Sequence, residues 1–321
     1  MKKVLFATTA LTLSAGIAAA DVTISGYGRT AIDYQEGRDQ ESQLETRLRM
    51  NIDATTSSDQ GVDFGGRIRL QYDDGEGSSN VSPAYLYVTA GGLTVSVGNV
   101  NTAFDSAGLI YESEVGLISR SFGNAQGDFY AFSTSGYGND EVRMNADGTV
   151  EIVNETDNRM GVAVEYEIAG ASVMASYVDP DQTTGGDDEE FSLKADYTWN
   201  QIALSGAYVN NAAGVDGAEK YFVGAYYTMP GTENGIGLNY IDEDSDADNQ
   251  GKTIVLYGDY AVAPLTTVSA YIANNDRDSN ETDNAFGIGA KYDLGGAYLA
   301  GSIERGYDEN VRADMGVRFN F

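Results

Sequence analysis

The chain has 321 residues, carries 49 acidic against 19 basic side chains, and contains neither cysteine nor histidine. A net charge of −30 argues against nucleic acid as a partner, because binding phosphates needs a basic surface. Without His or Cys the chain cannot build a Ser-His-Asp or Cys-His nucleophile or the usual zinc sites, so it reads as a protein without enzymatic chemistry.

The first element is a leader. Met1-Lys2-Lys3 is basic, Val4 to Ala19 is apolar and small, and Ala18-Ala19-Ala20 offers a cleavage site before Asp21. The apolar part is about 16 residues, short of the ~20 that a membrane-spanning helix needs. Residues 1–20 are therefore expected to be a cleaved signal peptide, and residues 21–321 a single domain. Removing Lys2 and Lys3 leaves 17 basic side chains against 49 acidic ones, a mature charge of about −32. Such acidity often signals disorder, yet 22 Tyr, 11 Phe and 42% apolar content give this chain enough to bury.

Beyond the leader runs a train of short segments in which every second residue is apolar, the mark of a strand with two different faces. Sixteen such segments lie near 22–34, 42–56, 61–73, 83–90, 93–98, 158–168, 171–178, 190–198, 201–210, 219–229, 235–242, 252–262, 265–274, 284–293, 297–305 and 311–321. In the second, Leu44, Thr46, Leu48, Met50 and Ile52 share one face, while Glu45, Arg47, Arg49, Asn51 and Asp53 share the other. Seven short turns, such as Gly91-Gly92 and Leu294-Gly295-Gly296, alternate with eight longer, mostly acidic or Asn- and Gly-rich loops. A transmembrane barrel sorts its connections in this way, with short periplasmic turns and long external loops. A secreted sandwich has no reason to do so.

Lipid supplies no hydrogen-bond partners, so a sheet inside it must close on itself. The expected fold is an all-β, sixteen-stranded antiparallel transmembrane barrel with its polar face inward. At that strand count the lumen is too wide for side chains to fill and holds water. Trp199, Tyr226, Tyr227, Tyr257 and Tyr260 are expected in the aromatic girdles at the membrane interfaces.

Four stretches carry a family likeness: Asp21 to Arg29, Ala84 to Gly98, Tyr292 to Gly296 and Met315 to Phe321. With them the chain resembles the general diffusion porins of Gram-negative outer membranes, above all the alphaproteobacterial type of purple photosynthetic bacteria. The resemblance implies a homotrimer and insertion machinery that reads the terminal Phe321. It also implies that the third long loop folds into the barrel and narrows it to an eyelet. Gly26 and Gly28 on the outer face of the first strand would allow close contact between barrels.

The loop after Gly98 is the break in the pattern, with nearly sixty residues before alternation resumes. Structureless loops longer than ~12–15 residues are usually functional or disordered. Residues 99–127 are the expected constriction segment, with Asp105, Glu112, Glu114 and Asp128 as acids and Phe104, Ile110, Leu117 and Phe122 among the residues suited to packing on the wall. The alternative path lies over the mouth of the barrel. Residues 136–157 read as more polar and external.

Parity places Arg29, Arg47, Arg49, Arg67 and Arg69 of the first three strands in the lumen, since an arginine facing lipid near the midplane costs ~2–4 kcal/mol. Arginines facing carboxylates across a narrow gap would set up a transverse field that favours dipolar solutes. No cofactor is expected. Calcium is a weaker possibility at Asp242, Asp244, Asp246 and Asp248, where the spacing departs from a calcium loop and a solvated acidic surface is the alternative; divalent ions there could bridge the loops to lipopolysaccharide.

The functional expectation is passive diffusion of small hydrophilic solutes and ions across an outer membrane, with a weak cation preference. A sugar- or anion-selective porin and a non-channel structural or adhesive barrel are the alternatives.

Overall fold

The computed structural model describes residues 20–74, 79–136, 140–144, 150–154, 158–182, 188–244 and 251–321. The expected leader, residues 1–20, therefore lies outside the described residues except for Ala20. Strands β1 (Asp21–Gln35), β2 (Ser42–Ser57) and β3 (Asp63–Asp73) are followed by β4, which comes in two pieces, Asn80–Val81 and Tyr85–Ala90. Both pieces pair with β3, and Pro83, which has no N–H to donate, sits in the gap between them. Next come β5 (Leu93–Gly98), β6 (Met160–Ile168), β7 (Ala171–Asp179), β8 (Glu190–Trp199), β9 (Ile202–Asn210), β10 (Glu219–Thr228) and β11 (Gly235–Asp244). The barrel is completed by β12 (Gly251–Ala263), β13 (Thr266–Asn275), β14 (Asn284–Asp293), β15 (Ala297–Arg305) and β16 (Val311–Asn320).

Each strand is antiparallel to its neighbours, and β1 pairs with both β2 and β16. The ladder from Tyr27↔Asn320 to Gln35↔Arg312 closes the sheet. Phe321 extends it, its N–H and C=O exchanging hydrogen bonds with Gly26 at 3.0 and 2.8 Å. The result is a closed barrel of sixteen strands, with the expected segments differing only at their ends. A separate two-stranded hairpin, Asp140–Met144 with Val150–Asn154, lies in the long loop, where the sequence shows too short a period to announce it.

The turn between β4 and β5 shows why the short connections carry glycine. Ala90 pairs with Leu93, so only Gly91 and Gly92 remain, with φ of 57° and 84°. Two successive positive φ values belong to the two-residue turn whose twist matches a hairpin.

Burial is inverted relative to a water-soluble protein. Along β10, Lys220, Phe222 and Gly224 are buried while Tyr221, Val223 and Ala225 are exposed. Large apolar side chains such as Leu44, Leu86, Ile272 and Ile288 face outward, while Asn239, Glu304 and Asp314 are buried inside. Only lipid makes an apolar exterior of this extent favourable.

Two aromatics correct the expected girdles. Trp199, Tyr227 and Tyr260 face outward, but Tyr226 and Tyr257 point into the barrel, where their rings stack 5.9 Å apart. Adjacent residues of a strand take opposite faces, so Tyr226 and Tyr227 could not both meet lipid. Inside, Tyr226 donates to Asp259 and Tyr257 to Asn239.

The lipid-facing assignment is tested at Ile288, half-exposed in the middle of β14. Ile288→Arg is expected to destabilise the barrel refolded into vesicles by ~2–4 kcal/mol, read from urea unfolding. A change below about 0.5 kcal/mol would mean that this face is wet.

Candidate functional site

From Gly98 the chain turns inward, and residues 99–136 run along the inner wall. Without regular structure of its own, this loop has backbone N–H groups to satisfy, and inward side chains of the wall accept them. Ala103 donates to Ser176 Oγ (2.8 Å), Phe104 to Ser192 Oγ (3.2 Å) and Gly108 to Asp196 Oδ1 (3.0 Å). Farther along, Leu117 donates to Asp314 Oδ1 (2.7 Å), Phe122 to the Tyr271 hydroxyl (3.1 Å), and Gln126 and Gly127 to Glu243. Tyr130 donates to Glu190 at 2.8 Å.

Apolar side chains fill in between these ties. Phe104, Leu109 and Ile110 pack on Val209, Phe222 and Ile241; Val115 packs on Val255 and Tyr271; Leu117 packs on Ala31 and Ala300. At Gly116, where φ is 78°, a Cβ would lie 2.3 Å from Asp314 Oδ2. The loop thus approaches the wall so closely that only glycine fits. Its ties run from β7 to β16 and on to β1, where Ile118 C=O accepts from Arg29. Among the described residues β2 and β3 receive no hydrogen bond from it.

One loop cation clamps the tip. Arg120 lies 2.8 Å from Asp33, 3.5 Å from Glu304 and 3.8 Å from Asp314, the last two with fully buried side chains. Nothing in the spacing of the sequence marks this residue, because the loop has no period from which to place it.

The five arginines of β1 to β3 all point inward, but they do not form a bare positive row. Register sets Arg67 opposite Asp53 and Arg47 opposite Asp73, and both pairs are salt bridges; Arg29 is paired with Glu45, one strand over and diagonal. Arg49 and Arg69 face amides instead: Arg49 Nε donates to Gln71 (2.6 Å) and Arg69 Nε to Asn51 (2.8 Å). Glu45, Asp53 and Asp73 are visible on the polar faces, yet their partnership depends on cross-strand register. Arg318 is a further inward arginine, on the polar face that alternation with Val317, Phe319 and Phe321 gives it but outside the five expected at the constriction. It stands opposite Arg29, which stands opposite Arg47, and its guanidinium lies 3.8 Å from the centre of the Tyr27 ring.

The loop acids are held differently. Asp105 accepts from the Tyr111 hydroxyl at 2.7 Å, and burial raises its pKa against that bond. Glu112 is exposed to the lumen, with its pKa raised by partial burial and by the nearby Asp259. Burial pushes Glu114 up to about 7; the Asn124 amide opposes this, and Glu112 and Glu304 add to it. Asp128 is exposed beside Gly127, which Glu243 holds near the long-loop end of β11. Among the described residues no salt bridge joins these acids to the five arginines.

The Gram-negative porin family model matches residues 7–309. The chain belongs to the Gram-negative porins. It is 39% identical over 309 residues to a porin of Fuscovulum blasticum, covering 94% of this chain and all of that one. Solved structures of Rhodopseudomonas blastica porin variants superpose with a TM-score of 0.83 at 38–39% identity, with the same coverage. The porin fold and the outer-membrane location follow from this membership.

Of the acids considered for calcium, Asp246 and Asp248 lie outside the described residues. Asp242 accepts from the Tyr240 hydroxyl (2.7 Å) and lies 3.6 Å from Lys252, and Asp244 ends β11. No group of three or more metal-ligating side chains is assembled among the described residues.

Arg120 is the porin residue whose loss tests the clamp. Arg120→Gln takes this cation from Asp33, Glu304 and Asp314, and removing one partner from a buried ion-pair network costs ~3–5 kcal/mol. A lower urea midpoint, together with faster proteolysis within residues 99–136, is expected. An unchanged midpoint and cleavage rate would show that the apolar packing alone holds the loop.

Proposed function

We propose that this porin passes small hydrophilic solutes and ions by passive diffusion through an eyelet. One side of the eyelet is the loop with Asp105, Glu112 and Glu114, and the other is the wall carrying Arg29, Arg47, Arg49, Arg67 and Arg69. The observation that carries this reading is the one-sided docking of residues 99–136, tied by hydrogen bonds from β7 round to β1 with none to β2 or β3 among the described residues. Solved variants of the R. blastica porin replace an Asp and a Glu two positions apart, and others a Lys and an Arg two positions apart. Glu112 and Glu114 have that spacing here, as do Arg47 and Arg49, and Arg67 and Arg69.

Three of the five arginines carry a wall carboxylate as partner, whereas the loop acids have no cation among the described residues. The chain's net charge of −30 supports a weak cation preference, which the inward arginines without a carboxylate, Arg49, Arg69 and Arg318, oppose. The exposed Asp128, at the outer end of the loop path, adds to the entry field rather than to the narrowest point. The remaining parts of the proposal are export through a cleaved signal peptide, assembly as a homotrimer, contact of the acidic outer loops with lipopolysaccharide through divalent ions such as calcium, and recognition of Phe321 by the insertion machinery.

Reversal potentials across a planar bilayer under a salt gradient test the eyelet. Replacing Glu112 and Glu114 with Gln should shift them toward anions, and unchanged selectivity would remove both residues from the eyelet.

Acidity should act through the same residues. Glu114 loses its charge as pH falls through about 7, so cation preference should decline between pH 8 and pH 6. Glu114→Gln should flatten that profile; an equally steep profile in the variant would assign the titration elsewhere. The effect on stability runs the other way. With the folded value raised above the ordinary 4.5, ionisation opposes loop docking increasingly as pH climbs from 4.5 through 7.

A further inference from the structure

A recess of about 380 Å³ opens in the lumen wall beside the foot of the loop. It is lined by inward side chains of β3 to β7, among them Arg69, Tyr85, Thr94 and Ser96, and by Ser106 and Phe132 of the loop. Thr94 is the second residue of β5, just past the Gly91-Gly92 turn, so the recess reaches toward the short-turn end of the barrel.

Its chemistry is uneven in an informative way. Arg67 is taken up by a two-pronged bond to Asp53, at 2.6 and 3.1 Å. Glu165, also at the rim, is paired with Lys194 at 3.1 Å, which Asp196 shares at 3.0 Å, and accepts from Ser172 at 2.7 Å. Arg69 is the cation at the recess with no carboxylate partner among the described residues. Asn51 holds its Nε, the Phe132 ring lies under the guanidinium at 4.3 Å, and no carboxylate lies within 4 Å among the described residues. Its orientation is fixed while its terminal nitrogens keep their donors. A planar fork so held matches one carboxylate in two-point contact.

The rest of the recess says what that carboxylate is attached to. Its volume far exceeds a carboxylate alone. The Tyr85 and Phe132 rings stand edge to face, 6.0 Å apart, giving flat apolar surface for C–H groups. Around them, Thr94, Ser96 and Ser106 offer hydroxyls that both donate and accept. One negative charge, one apolar ring face and a fringe of hydroxyls describe a sugar acid.

We infer that this recess is a binding subsite for small hydroxylated monocarboxylates of the sugar-acid class, with Arg69 holding the carboxylate and Phe132 and Tyr85 supporting the ring. The inference rests on the diffusion reading and adds a resting place beside the path, where permeation of one solute class becomes saturable.

Single-channel recording with D-glucuronate as the probe tests it, with D-glucose and acetate for comparison. Glucuronate is expected to reduce the potassium chloride current along a saturating curve in the millimolar range, at concentrations at least about tenfold below those at which glucose or acetate acts. Arg69→Gln, which can keep the bond to Asn51, should raise the half-blocking concentration about tenfold or more relative to its own open current. Phe132→Leu, which keeps the charge and removes the ring, should raise it by a smaller factor. Open wild-type channels with only a linear glucuronate effect, or equal half-block in wild type and both variants, would overturn the subsite and leave diffusion standing. Absence of channels in the wild type would overturn both.

Discussion

Everything in this molecule depends on the fact that a hydrocarbon interior offers backbone groups no partner. A sheet there has to close, and it does so where β1 meets β16 along nine residue pairs, with Phe321 bonded back to Gly26. Closure forces the alternation of faces, because every strand now has lipid on one side and the lumen on the other. It also forces the polar interior, since the only wet surface left inside the membrane is the lumen wall.

The long loop meets the same problem and solves it with that wall. Residues 99–136 form almost no regular structure, yet their N–H groups find Ser176, Ser192, Asp196, Tyr271, Asp314 and Glu243. Several of these acceptors are charged, and their desolvation is offset by cations close by: Lys220 for Glu243 at 2.9 Å, and Arg120 for Asp314 and Glu304. The carboxylates that anchor the loop are thus consumed in doing so. In the proposed eyelet, Glu112 and Glu114 on its free side remain to face the solute path. Under that proposal, structural and permeation charges are separated by which side of the loop they stand on.

Much of this is legible in the sequence because lipid imposes a period of two on side chains. The sixteen strands, the short and long connections and the inward direction of Arg29, Arg47, Arg49, Arg67 and Arg69 all follow from that period. Pairing across strands does not. Whether Arg67 meets Asp53, or Arg69 meets Asn51, depends on register, which a one-residue slip would change. The loop has no period at all, so Arg120 gives no sign of its role. Tyr226 and Tyr257 show the limit of composition: aromatics near strand ends suit a girdle, but parity decides which way they point. That parity is present in the sequence and outweighs the composition.

Glu112 is proposed to border the solute path through the barrel. The cysteine-free chain allows a direct measurement, because Glu112→Cys would carry the only thiol. Single-channel conductance is recorded before and after adding a bulky, water-soluble, thiol-reactive reagent. A stepwise, lasting fall in conductance is expected for the variant and none for the parent chain. Rapid modification, confirmed by mass, that leaves conductance unchanged would contradict it, since Glu112 would then lie in water but away from the path.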